Sequence, residues 1–435
     1  MWIPLFVLAC SSPSAPMGDV APVQEPAKAP NVVVILIDTL RVDRLSLYGA
    51  ETDTMPFLSS LATDSALFEQ AWSTSSWTAP STASVFTGLY PNQHGVTAGL
   101  VATQAMREKG AAQQHSTLAV KQLPQNVSTL PQVFKAQGYE TFAVTTNINI
   151  NREIGFDRGF DHFQFFQDGS ALQVAETVVK WQPLLDAEAP YLLYLHFNDP
   201  HSPYLAREPW FVANEDGLQG QLSAYDSELH YLDLYIGRLY EAMDWSQDTV
   251  VLVVSDHGEE FGEHGQMGHH FSLYREVNQV IWMAHGPGVK PARYTQNVSL
   301  VDVLPTAVAL AGGAPAPGRA GVDLSVLLRA GSDPSLSGRT LYAHRWDSKS
   351  GDLWAGIRDD WRLIDSGPEQ ELYSIGRDPQ EAKNLAATEP AVASQITDTL
   401  NAFRAAPGQT WTEVQEVQLD PAQILMLEQL GYLEH

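Results

Sequence analysis

The sequence predicts an α/β fold: a doubly wound, mostly parallel sheet flanked by helices, with a small C-terminal subdomain of antiparallel strands and a helix. Three observations carry this. Residues 31–37 form a continuous β-branched and aliphatic run, and similar runs recur at 141–144, 191–197 and 249–254. Such unbroken runs mark strands buried on both faces of a parallel sheet. Helical-looking segments separate them, and repeated strand–helix alternation builds a doubly wound sheet. Past about Gly338 the alternation stops. Short runs at 340–344, 353–358, 361–364 and 371–373 read as antiparallel strands, and 390–403 as a helix.

Composition sets the class. In 435 residues, 44% are hydrophobic and 17% charged, enough apolar material for a packed core and too little charge for disorder. The formal net charge of −26, with no offsetting Lys/Arg cluster, excludes nucleic acid as a partner. The sole cysteine, Cys10, ends an apolar N-terminal run that is too short to cross a bilayer, with the small Ala9 before it. This resembles a bacterial lipoprotein signal, with an ordinary secretion signal or a disordered start as the plainer alternatives. The resemblance implies export, acylation of Cys10 and attachment to a membrane facing the periplasm or the cell surface. With one cysteine, no intrachain disulfide forms. The expected organisation is a signal at 1–10, a Ser/Pro/Ala-rich tether at 11–30, an α/β domain at 31–337, and a C-terminal subdomain and tail at 338–435.

In open α/β sheets, ligands collect at the carboxyl ends of the strands. The residues there are Asp38 after the first run, Asn198, Asp199 and His201 after the third, and Ser255, Asp256, His257 and Gly258 after the fourth. Acids and histidines at three strand ends are placed to converge on one metal. The plainer alternatives are a helix cap for Asp38 and turn chemistry before Gly258 for Asp256 and His257.

Several segments, in order, resemble the sulfatase family of the alkaline-phosphatase superfamily. They are Asp38-Thr39-Leu40-Arg41, then Trp77-Thr78-Ala79-Pro80-Ser81 continuing to His94-Gly95, then Asp199-Pro200-His201-Ser202-Pro203-Tyr204. Asp256-His257-Gly258-Glu259 with His264-Gly265 follows, then Pro305-Thr306, and near the end Glu371-Leu372-Tyr373 with Asp378-Pro379. The resemblance implies a catalytic α/β domain in which Asp38, Thr78, Asp256 and His257 hold one divalent metal ion. Carboxylates suit hard cations such as Ca, and the His nitrogen shifts the preference toward Mn or Zn. It also implies that Thr78 is the nucleophile, that His201 protonates the leaving group, and that His269 contacts the transferred group where relatives carry a lysine. Pro80 in a first turn places Thr78 near a helix N-terminus, which favours an anionic substrate. Capping for Thr78 and a hydrogen-bonded loop histidine for His201 are the structural alternatives. Arg41 reads as an ion-pair residue fixing the metal loop, His94 as a buried, satisfied histidine, and Glu263 and His264 as equally structural or catalytic.

The pattern also departs from the family. Threonine at 78 cannot become the formylglycine of true sulfatases. The arginine expected four residues later is Thr82, a Lys-x-His pair is replaced by Thr146-Asn147-Ile148, and a second metal aspartate is Thr39. A threonine nucleophile looks more like the phosphoryl-transferring branches, which need no aldehyde hydrate. The expectation is a metal-dependent hydrolase of small, glycan-borne or lipid-borne sulfate or phosphate esters. The alternatives are a phosphodiesterase, phosphonate hydrolase or phospho-group transferase of the same superfamily, and an inactive binding lipoprotein.

Overall fold

The computed structural model describes residues 29–97, 119–314, 316–346, 351–406 and 416–418. The signal with Cys10 and most of the tether lie outside the described residues.

The central sheet has eight strands: β1 (Asn31–Ile37), β2 (Ala66–Trp72), β3 (Glu140–Thr145), β4 (His162–Phe165), β5 (Tyr191–Phe197), β6 (Thr249–Ser255), β7 (Trp282–His285) and β8 (Ala292–Ser299). Their spatial order is β8-β2-β7-β6-β1-β5-β3-β4. All neighbours pair in parallel except those of β7, which runs antiparallel to both β6 and β2. The aliphatic runs read from the sequence are the four adjacent strands β6, β1, β5 and β3. The other four lack that signal: β2 carries Glu69 and Gln70 mid-strand, β4 and β7 span only four residues each, and β8 mixes Arg293, Thr295, Gln296 and Asn297 with its apolar residues.

Burial on both faces explains the unbroken runs. Val32, Val34 and Leu36 of β1 pack into one apolar cluster, and Val33, Ile35 and Ile37 into another on the opposite face. The first cluster takes in α1 (Thr78–Thr87). The second is covered by α2 (Ala171–Leu185) and α3 (Gly217–Ala242). A Cβ on Gly258, just past β6, would stand 2.0 Å from Glu276 O, so only glycine lets the chain leave the sheet there.

The C-terminal subdomain is the expected antiparallel sheet, β9 (Thr340–Arg345), β10 (Leu353–Arg358), β11 (Trp361–Asp365) and β12 (Gln370–Ser374), in sequence order. One face packs with Trp72 and Leu273 of the main domain, and the other carries α4 (Pro390–Ala405) through Ile396 and Leu400. Arg362 of β11 forms a buried ion pair within the subdomain and a hydrogen bond across this junction. Arg362 Nη1 donates to Glu381 Oε1 at 2.5 Å, and its Nη2 to Asn278 Oδ1 at 3.2 Å.

Candidate active site

Strand register assembles the site. Ile37 of β1 pairs with Ser255 of β6 on one side and Phe197 of β5 on the other. The next residues outward, Asp256, Asp38 and Asn198, therefore stand in a row at the carboxyl edge. Asn147, two residues past β3, extends the row: its Nδ2 donates to Asp38 Oδ2 at 2.7 Å and to Asn198 Oδ1 at 3.0 Å.

Asp38, Asp256 and His257 each offer one ligand atom, and these atoms all lie within 4.8 Å of one another. His257 Nε2 is 3.5 Å from Asp38 Oδ1 and 3.5 Å from Asp256 Oδ2. Its Nδ1 lies 2.8 Å from Gly258 O. A carbonyl only accepts, so the proton sits on Nδ1 and Nε2 turns its lone pair toward the carboxylates, the tautomer a metal ligand requires. Burial holds the His257 pKa well below its ordinary value, and the neighbouring His269 adds to this. Asp256 is driven well above the carboxylate range by burial first and the Asp38 charge second.

The residues present fit a divalent cation. Asp38, Asp256 and His257 are fully buried, and Asp38 Oδ1 and Asp256 Oδ2 accept no hydrogen bond. Two adjacent buried carboxylates with unused lone pairs repel each other, and a cation removes that penalty. Thr39, where a second aspartate was expected, contributes its backbone instead. It adopts a left-handed φ of 53°, and its N–H donates to Asp256 Oδ1 at 3.3 Å. Behind Asp38, the His196 imidazole is lowered to about 4 by burial and is thus neutral, with Nε2 3.5 Å from Asp38 Oδ2.

Helix α1 starts at Thr78, with Trp77 as its extended cap residue, so Thr78 is the first helical residue rather than the cap. Its Oγ1 lies 3.4 Å from Asp38 Oδ2 and 3.4 Å from His257 Nε2. The Ser81 hydroxyl turns elsewhere: its Oγ is 3.0 Å from Ser73 Oγ and 3.3 Å from Ser75 O. The His269 ring centroid is 4.7 Å from that of His257 and 5.0 Å from that of His201. All six sequence candidates therefore meet at one place.

Other motif residues make contacts around this group. Arg41 donates from Nε to Asp43 Oδ1 at 2.9 Å, and from Nη1 to Glu263 Oε1 at 2.6 Å and to Glu259 O at 3.0 Å, so it clamps two site loops. His264 stacks on Tyr274 at 3.7 Å. His94 is fully buried, its Nε2 is 3.2 Å from Ser84 Oγ, and its Nδ1 accepts from Val96 N–H. Sequence reasoning missed the parts played by Asn147, His196 and Glu259. Asn147 and Glu259 stood inside quoted motifs, but nothing local says which atoms they reach.

A carboxylate–imidazole group fit for a cation, beside a hydroxyl at a helix start, is an arrangement that can bind and attack an anionic ester. Comparison with known proteins narrows the class. A family model described as Sulfatase matches residues 30–314, and the chain belongs to the sulfatase family of hydrolases. The Delta 4,5-hexuronate-2-O-sulfatase of Bacteroides thetaiotaomicron is 23% identical over 430 residues, covering 82% of this chain and 84% of that protein. The choline-sulfatase of Rhizobium meliloti is 25% identical over 261 residues, covering 50% of each. Among solved structures, a 2-O GAG sulfatase superposes with a TM-score of 0.73 at 20% identity, covering 91% of this chain and 96% of that one. The phosphonate monoester hydrolase of Agrobacterium radiobacter superposes with a TM-score of 0.70 at 18% identity, covering 90% and 100%.

Proposed function

We propose that this chain hydrolyses sulfate or phosphate esters with Thr78 as covalent nucleophile and Asp38, Thr78, Asp256 and His257 around one divalent ion. The observation that carries this reading is Thr78 Oγ1 at 3.4 Å from both Asp38 and His257. When bound, Mn, Zn or Ca would supply Lewis-acid charge to the reacting oxygens. Thr78 Oγ1 passes its proton to Asp38 Oδ2, the carboxylate it already donates to, and forms the new bond to sulfur or phosphorus as the ester bond to the leaving oxygen breaks. His201, next to His269, delivers a proton to that oxygen, and water then releases the adduct from Thr78. The first-turn N–H groups of α1 and the His269 imidazole meet the charge on the transferred group.

A phosphoryl substrate is favoured by Thr78 itself, which reacts without an aldehyde hydrate. The cationic clamp is lost for either ester. Thr82 is buried with its hydroxyl unpartnered, and the Thr146 hydroxyl is taken up by His196. The names of the relatives support a glycan-borne or small ester. Metal-free protein supplied in turn with Mn²⁺, Zn²⁺ and Ca²⁺ is expected to cleave at least one of an aryl sulfate, phosphate monoester, phosphodiester and phosphonate ester. No turnover with any ion, together with no bound metal, would leave the inactive binding protein as the better reading.

We place the protein outside the cytoplasm, held to a membrane by lipid on Cys10, on the strength of the apolar run and small residue before that cysteine. A palmitate analogue is expected to label the wild type and not Cys10→Ala. Equal labelling of the two rejects the anchor.

A further inference from the structure

We propose that Glu259 is the positioning residue for His269, fixing the imidazole that faces the substrate and coupling it to the His201 loop; this rests on the assignment of His269 to substrate binding. Glu259 lies just before the short strand Glu260–Phe261, which pairs antiparallel with Met267–Gly268 so that Glu260 faces Gly268. The next pair outward is Glu259 and His269, which makes them cross-strand neighbours. Glu259 is fully buried and both of its oxygens are engaged: Oε1 lies 2.8 Å from His269 Nδ1, and Oε2 accepts from the Tyr204 hydroxyl at 2.9 Å. An ionised carboxylate only accepts, so the His269 proton sits on Nδ1 and Nε2 is left for a ligand beside His257 and His201.

Two further contacts hold this arrangement. Tyr204 follows His201 by three residues, so one carboxylate ties the loops of both histidines. His270 takes a left-handed φ of 66°, and its N–H donates to Ser76 O at 2.9 Å, two residues before Thr78. A histidine kept in that region by a bond to the nucleophile segment is backbone strain at the site, and it anchors the chain just past His269.

In the metal-loaded full chain, Glu259→Ala is expected to raise KM about 10-fold or more, with a smaller change in kcat. Glu259→Gln keeps an oxygen for Nδ1–H and is expected to recover most of that loss. If Glu259→Ala does not fold, Glu259→Asp, which withdraws the carboxylate by one methylene, gives the same KM change. Placed on His269→Ala, the Glu259 substitution is expected to add nothing to KM, because its effect on substrate binding runs through that ring. Nitrogen-15 NMR of histidine-labelled protein is expected to show the Nδ1–H tautomer of His269 in the wild type and Glu259→Gln, and its loss in Glu259→Ala or Glu259→Asp. An unchanged tautomer in the carboxylate-shifted variant, or a full KM penalty on the His269→Ala background, overturns the proposal. Absence of ester turnover in the wild type would reject the proposed function instead, while the NMR comparison still decides the role of Glu259.

Discussion

Thr78→Ala is expected to lower turnover by at least about 10³-fold while the protein still binds its metal. The geometry selects this hydroxyl among its neighbours. Thr78 Oγ1 points to Asp38 and His257, whereas Ser81 Oγ is engaged with Ser73 and Ser75 on another side of the helix. Thr78→Ser removes only a methyl group and is expected to keep measurable activity. Mass spectrometry of acid-quenched turnover is expected to place a phospho- or sulfo-adduct on Thr78. An adduct on Ser81, or wild-type rates in Thr78→Ala, would reject the nucleophile assignment.

The second large effect concerns stability. Binding of an ion to the folded form alone stabilises it by about 2.7 kcal/mol at a hundred times Kd, so chelation is expected to lower the wild-type Tm by several degrees. Asp256→Asn is expected to abolish that chelator-sensitive step. It removes one of two adjacent buried carboxylates, and an amide at this position can keep accepting from the N–H groups of Thr39 and His257. Metal-free Asp256→Asn is therefore expected to melt above metal-free wild type, because the repulsion with Asp38 is gone. Calorimetry with and without chelator reads both effects. Equal chelator shifts in the two proteins would mean that Asp256 is not a ligand.

The site was legible to the extent that it sits at strand ends. A doubly buried strand must be aliphatic throughout, so the first polar residue after it marks both the end of the strand and the edge where ligands bind. Asp38 after Ile37 and Asp256 after Ser255 are such residues, and the register of β1 with β6 sets them side by side. Short strands and strands interrupted by polar residues left no such mark. Nothing in Ala66–Trp72, with two polar residues at its centre, or in the four residues of Trp282–His285 separates a strand from a loop by pattern alone.

The sequence alone thus determined the layered α/β architecture, the antiparallel C-terminal sheet and the residues gathered at the site, because burial imposes a pattern on every few consecutive residues. Only the tertiary structure decided which atoms meet. Asn147 reaches Asp38 across 109 positions, and Glu259 reaches His269 through a hairpin whose strands are two residues each, too short for any periodicity. The cause is one of range: hydrophobic patterning is a local property of the chain, whereas hydrogen-bond partners at a site depend on sub-ångström placement by packing across the whole sheet.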